Sequence, residues 1–228
     1  MPNHTEIYKQ KAEKYNELIS KQNTLTQMIE KIQPFESLDI VDLGAGTGRL
    51  TTELAEKANS IVAIDASEEM LKITVERLEN ARFTNWKTKV SDLRKLPLQD
   101  QSTDLIVAGW SICYLGSSNN PYWKEDIHRV MEEMKRVLRS SGTIIIFETL
   151  GTGVEQPSPP DFLKPYFETL INGYSFSHDW IRLDYTFDNL NQAKELTRFF
   201  FGDDLGDQVL KENLVRLPEC AGVWWLKL

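Results

Sequence analysis

Cysteine is nearly missing from this sequence: Cys113 and Cys220 are the only two in 228 residues, and neither has a cysteine or histidine partner close by. A disulfide framework and a cysteine-based zinc site are therefore excluded. No apolar run approaches the ~20 residues of a membrane span, and residues 1–10 are polar without an apolar core, so neither a span nor a signal peptide is expected. Dense Lys/Arg runs are also lacking, and the formal net charge is −8. A surface of that sign repels phosphate backbones, which argues against a nucleic-acid partner. Internal repeats and low-complexity tracts do not occur. These absences leave a chain long enough for one α/β domain with insertions, expected to be cytoplasmic, with no membrane contact, and a monomer or homodimer.

What the sequence does contain is Ile40-Val41-Asp42-Leu43-Gly44-Ala45-Gly46-Thr47-Gly48-Arg49-Leu50. A short apolar run leads into three glycines at alternate positions, and 51–58 then reads as a helix, giving strand, tight turn, helix. Glycines allow positive φ and close approach of a ligand to the backbone, and the first N–H groups of a new helix point into the same space. A dinucleotide fingerprint would place its third glycine one residue later than Gly48.

With Asp42 two residues ahead of Gly44, this stretch resembles the first motif of the class I S-adenosylmethionine (SAM)-dependent methyltransferases, acid-x-Gly-x-Gly-x-Gly. Downstream segments agree with the resemblance. A strand at 60–64 ends in Asp65, an acid about twenty residues past the turn where one carboxylate can meet two ribose hydroxyls. Ser67 is the expected N-cap of the helix that follows. A strand at 88–90 leads to Asp92 and Leu93, which by the resemblance meet the adenine amine and a ring nitrogen. The strand at 104–110 is nearly continuous in apolar residues, as a strand covered on both faces should be. By the resemblance its exit lies below the adenine and reaches the transferable methyl, so that Trp110 and Tyr114 are candidates for the wall between cofactor and acceptor; Trp110 is equally readable as core. The resemblance also assigns Asp42, Gly44, Ala45, Gly46, Gly48, Ala66, Met70 and Gly109 to the cofactor surface.

The expected fold is α/β: a Rossmann-like, doubly wound sheet of seven strands in the order 3-2-1-4-5-7-6, the last strand antiparallel. Residues 1–228 are expected to form a single methyltransferase domain. Helices at 5–20 and from Thr24 to about position 34 would make an N-terminal cover over 1–36, offering Tyr8 and Tyr15 to the methionine end of the cofactor or simply packing there. A helix is expected over 122–139, stopped by Ser140-Ser141-Gly142, and a strand over 143–147. The proline- and aromatic-rich segment 150–179 reads as a lid over the acceptor, with Phe162 and Tyr166 joining Trp110 and Tyr114 in the substrate pocket. An alternating strand at 180–187, helices at 189–201 and 203–213, and a strand at 221–228 complete the chain.

The implied reaction is methyl transfer from SAM, leaving S-adenosylhomocysteine, to a small-molecule oxygen or nitrogen nucleophile. If the acceptor must lose a proton, His178, Glu148 and Tyr15 are the available groups, in that order. After the fourth strand the chain has Gly109-Trp110-Ser111-Ile112 in place of the Asn/Asp-Pro-Pro-Tyr of base and amide methyltransferases. No carboxylate pair with a third ligand stands near Trp110, so no metal is expected. A module that binds SAM or a nucleoside without chemistry, and an NAD-dependent oxidoreductase, are the competing readings.

Overall fold

The computed structural model describes residues 3–228. Strands β1 (Asp39–Leu43), β2 (Ser60–Asp65), β3 (Trp86–Val90), β4 (Thr103–Gly109), β5 (Leu138–Thr152), β6 (Ser177–Arg182) and β9 (Glu219–Lys227) form one sheet in the order β3-β2-β1-β4-β5-β9-β6. β9, the last in the chain, runs antiparallel to both neighbours, and the others are parallel. The expected order and the expected antiparallel final strand are both present. A second small sheet pairs β7 (Tyr185–Thr186) with β8 (Arg216–Leu217).

Period-two alternation on β4 divides the core between the two faces of the sheet. Leu105 and Val107 join Leu25, Ile29 and Ile32 of the N-terminal region and Leu50 and Leu54 of α4 (Arg49–Ala55). Ile106 and Ala108 join the apolar stripe Ile127, Val130, Met131, Met134 of α7 (Trp123–Val137), at the i, i+3, i+4, i+7 spacing of one helix face. Burying a side chain such as Ile106, which is 0% exposed, contributes about 1.5–3 kcal/mol relative to leaving it in water. Ser67 caps α5 (Glu68–Asn80) as expected, its hydroxyl accepting from Met70 N at 3.4 Å.

Three segments depart from the sequence expectation. The helix expected over 5–20 breaks at Lys11, whose φ of −137° and ψ of 32° are not helical, giving α1 (His4–Gln10) and α2 (Ala12–Ile19). The strand expected over 143–147 starts at Leu138, directly after α7, and ends at Thr152; a register shift against β4 between Thr103 and Leu105 takes up the extra residues around Gly142. The outer extension exists because β9 keeps pairing with it, Thr149 opposite Ala221 and Thr152 opposite Glu219.

The strand expected over 180–187 begins earlier, at Ser177, and is cut at Asp184. That carboxylate accepts from Arg182 on both oxygens at 2.9 Å, from Arg216 Nε at 2.7 Å and from Glu219 N at 3.0 Å, a charge-assisted network that stands where strand pairing ends. Helices α9 (Leu190–Phe201) and α10 (Asp203–Lys211) follow, the first capped by Asn189. The segment expected to be a lid folds into a 3-10 turn (Asp161–Leu163), α8 (Lys164–Glu168) and a wide turn (Thr169–Gly173). Its Leu163, Tyr166, Phe167, Leu170 and Phe176 pack into the α7 layer. Between β4 and α7 lies the short α6 (Cys113–Gly116). No helix among the described residues is long and apolar enough to cross a membrane.

Candidate functional site

A cavity of about 520 Å³ opens at the carboxyl ends of β1, β4 and β5. Ligand pockets are typically about 300–1,000 Å³. Asp42, Gly44, Ala45, Gly46 and Thr47 line it from β1 and its turn, Gly109 and Trp110 from β4 and its exit, and Thr149 from β5. His4, Tyr8, Tyr15 and Ile19 of the N-terminal helices and Phe200 and Phe201 of α9 cover it.

The turn after β1 has its shape because its residues are glycine. Gly44 has φ +69°, and a Cβ there would lie 2.2 Å from Ser111 Cβ, so neither the backbone angle nor the space admits a side chain. Ser111 is itself fixed, its hydroxyl donating to Leu43 O at 2.7 Å. Gly44 N and Ala45 N both donate to Ile64 O, at 2.7 and 3.0 Å, which ties the turn to β2. Gly46 N donates to Asp65 Oδ2 at 2.8 Å, and Ser67 N donates to Oδ1 at 2.8 Å. A carboxylate offers about four acceptor positions. The two left on Asp65 suit a pair of hydroxyls.

The cavity holds charge in an apolar setting. Asp42 is 1% exposed and accepts from the Thr51 hydroxyl at 2.6 Å. Burial, reinforced by the nearby Asp65 carboxylate, pushes its pKa up to about 7. Arg49, whose pKa burial lowers, donates to Gln22 Oε1 at 2.7 Å and Asn23 O at 2.9 Å and lies 5.3 Å from the Trp110 ring centroid. Trp110 has φ +51°, a left-handed conformation that a bulky residue adopts only when its surroundings impose it. Its N–H donates to Phe147 O at 2.7 Å, and its ring stacks on Phe147 at 6.3 Å.

Residues 41–146 match the family model described as "Methyltransferase domain". Among curated proteins, the chain is 26% identical over 151 residues to phosphoethanolamine N-methyltransferase 1 of Arabidopsis thaliana, covering 64% of this chain and 29% of that protein. It is 27% identical over 188 residues to malonyl-[acyl-carrier protein] O-methyltransferase of Marinomonas sp. (strain MWYL1), covering 81% and 63%. Among solved structures, a SAM-dependent methyltransferase from Aquifex aeolicus superposes with a TM-score of 0.58 at 17% identity, over 89% of each chain. Over residues 41–146 the chain is thus similar to methyltransferase domains, and its fold is that of a SAM-dependent methyltransferase. It spans less than two thirds of the length of these curated relatives.

SAM is the cofactor of the methyltransferases that this chain resembles, and the residues of the cavity fit it. The glycine turn keeps one wall free of side chains at Gly46, where a Cβ would meet nothing nearer than Met70 Cε at 3.4 Å. Asp42 offers a buried carboxylate to an ammonium, and Thr47 Oγ1, also lining the cavity, is buried with no hydrogen-bond partner. Because β1, β2 and β3 are adjacent and parallel, Gly44, Asp65 and Asp92 follow strands that end at the same edge. Asp92 is ion-paired to Arg94, which holds its pKa down: Oδ1 accepts from Arg94 N and Nε, and Oδ2 from Nη2 at 2.6 Å. One acceptor position on Oδ2 remains open.

Of the sequence-predicted residues, Asp42, Gly44, Ala45, Gly46, Gly109, Trp110, Tyr15, Tyr114 and Phe162 line the cavity. Gly48, Asp65, Ala66, Met70, Asp92 and Leu93 stand behind the turn or along the neighbouring strand ends, outside that lining. Three expectations need correction. His178 is exposed on the edge strand β6, opposite Trp224 and away from the cavity, and no base is placed there. Glu148 is wholly buried on the α7 face of β5 and outside the lining, where Oε1 accepts from Cys113 N at 2.9 Å; burial raises its pKa to about 8. It positions α6 from beneath. Tyr166 packs its ring against Gly116 and directs its hydroxyl to Glu148 at 3.5 Å, so it lies behind the pocket wall.

Sequence reasoning missed His4, Arg49, Phe200, Phe201, Tyr185 and Glu219, all on the cavity wall. His4 stacks on Phe200 with centroids 4.3 Å apart, and its Nε2 lies 3.0 Å from Phe200 O, which can only accept, so Nε2 carries the proton. In the neutral ring Nδ1 then accepts from Tyr114 O–H at 3.0 Å, and Tyr114 accepts from Tyr8 O–H at 2.6 Å. Tyr15 completes this aromatic cover, its ring edge-on to Tyr8 at 5.2 Å, and burial raises its pKa to about 12.

Proposed function

We propose that this chain transfers a methyl group from SAM to a small molecule held in the same cavity, at a nitrogen or oxygen nucleophile. The observation that carries the reading is one continuous cavity that begins at the glycine turn and continues past Trp110 into an aromatic chamber. SAM supplies a sulfonium-activated methyl, so the chain's contribution is chiefly alignment, worth up to about 7–11 kcal/mol in favourable cases. Asp65 receives the ribose hydroxyls, Asp92 and Leu93 meet the adenine, and Asp42 holds the ammonium. Trp110, Tyr114 and Phe162 form the acceptor wall, and the rings of Tyr8, Tyr15 and Phe200 keep water out from above.

The test is incubation with methyl-labelled SAM and a small-molecule extract, with an RNA fraction in parallel. Label should pass into a small molecule and not into RNA. Saturable SAM binding without transfer to any fraction would leave a binding module and refute the enzyme.

A further inference from the structure

Glu219 opens β9 and reaches the cavity from the side opposite the glycine turn's strand, because the outer extension of β5 pairs with it at Thr152. It is 2% exposed. Oε1 accepts from the Thr149 hydroxyl at 2.9 Å, whereas Oε2 is buried with no partner. Its backbone is fully used, N–H to Asp184 Oδ1 at 3.0 Å and C=O from Leu183 N at 2.9 Å, so the side chain is held in place. Glu219 takes part in no salt bridge among the described residues. A buried carboxylate oxygen with nothing to accept from is costly unless something else supplies the donor.

No charged or titratable group around it supplies that donor, and the Thr152 hydroxyl, near enough to oppose the rise in its pKa, makes no hydrogen bond to Oε2. Arg49 of α4 is committed to Gln22, Asn23 and the face of Trp110. Asp184 adds like charge but is itself neutralised by Arg182 and Arg216. Tyr185 is buried beside it on the cavity wall. The cavity that Glu219 lines also has the rings of Trp110, Phe162, Phe200 and Phe201 on its wall. Aromatic faces and one unpaired carboxylate are together the chemistry that holds an organic cation.

Building on the methyl-transfer reading, we infer that Glu219 anchors the acceptor, and that the acceptor is an apolar small molecule carrying a protonated amine. The amine donates to Oε2 and the apolar body fills the aromatic chamber. Burial raises the pKa of Glu219 to about 7, with the Thr152 and Thr149 hydroxyls and Arg49 opposing that rise. An incoming ammonium favours the charged form, so amine binding should strengthen as pH rises through 7.

Calorimetry on the protein saturated with S-adenosylhomocysteine, with 2-phenylethylamine and its neutral counterpart 2-phenylethanol as probes at pH 8, tests this. The wild type should bind the amine at least tenfold more tightly than the alcohol, and the preference should shrink at pH 6. Glu219→Gln should lose the preference at both pH values while S-adenosylhomocysteine affinity stays within twofold, which also shows that the variant is folded. Glu219→Asp, which keeps the charge, should retain part of the preference. Equal affinity for the two probes, no binding of either, or a preference that survives in Glu219→Gln would overturn the inference. So would a Glu219→Gln protein weakened for SAM but not for S-adenosylhomocysteine, because the carboxylate would then face the sulfonium. Failure of the wild type to bind S-adenosylhomocysteine at all is a different result and refutes the methyl-transfer reading itself.

Discussion

Replacing Gly44 with alanine strains the molecule in two ways that Gly46→Ala does not share equally. Both residues have positive φ, +69° and +57°. The left-handed conformation costs an alanine about 1–2 kcal/mol in either place. At Gly46 the new methyl meets only Met70 Cε at 3.4 Å, an ordinary contact. At Gly44 it lands 2.2 Å from Ser111 Cβ and 2.7 Å from its Oγ, so Ser111 must move and release its 2.7 Å bond to Leu43 O. That bond is worth about 0.5–1.5 kcal/mol, and more if the acceptor stays buried and unpaired. The total for Gly44→Ala is therefore about 1.5–3.5 kcal/mol, and in a chain of this size about 1 kcal/mol lowers Tm by about 2–4 °C. Thermal unfolding followed by circular dichroism should show Gly44→Ala melting about 3–14 °C below wild type, and below Gly46→Ala. A Gly44→Ala protein that melts at or above Gly46→Ala would refute the account of the turn.

Three buried carboxylates, Asp42, Glu148 and Glu219, have pKa values raised by burial to about 7, 8 and 7. The folded chain holds protons there that the unfolded chain has released, so their contribution to stability is complete below about pH 4 and is lost as pH rises through 7 to 8. Melting temperature should fall between pH 5 and pH 8.5, and Glu148→Gln should flatten the fall; an unchanged slope would contradict the burial argument. Tyr8→Phe removes the 2.6 Å bond to Tyr114 and should cost about 0.5–1.5 kcal/mol of cover closure. Hydrogen exchange of α1 should rise several-fold in that variant, and unchanged exchange would mean that the bond does not hold the cover.

The sheet was legible because its signals are local. Leu105 to Ala108 are apolar at every position, which only a strand covered on both faces requires, and the alternate glycines from Gly44 to Gly48 mark the turn without ambiguity. Ser67 and the stripe on α7 are short-range patterns of the same kind. The Glu219 side of the cavity was not legible, because Glu219 reaches it only through pairing of β9 with the outer end of β5, seventy residues away in sequence.

Glu148 reads as the candidate base because the strand expected over 143–147 ends at it, whereas Glu219 precedes the strand expected at 221–228; in the structure Glu148 lies inside β5 and Glu219 opens β9. Period-two geometry separates them: Glu148 falls on the α7 face with Ile146, and Thr149, the partner of Glu219, on the other with Phe147. A single acid opening the apolar run from Cys220 to Trp225 was the signal available for Glu219. His178 reads as a candidate base because it is titratable and stands beside Asp179, yet nothing local says that β6 is the sheet's edge; only the final sheet order does.

Isothermal titration with S-adenosylhomocysteine, on the wild type and on Asp65→Ala, tests the central claim most directly. Asp65 accepts from Gly46 N and Ser67 N and keeps two acceptor positions, which the proposed function gives to the ribose. Its loss removes charge-assisted hydrogen bonds worth about 1.5–3 kcal/mol each. The account predicts one saturable site per chain in the wild type and an affinity at least tenfold weaker in Asp65→Ala. No saturable binding by the wild type, or equal affinity in the two proteins, would contradict it.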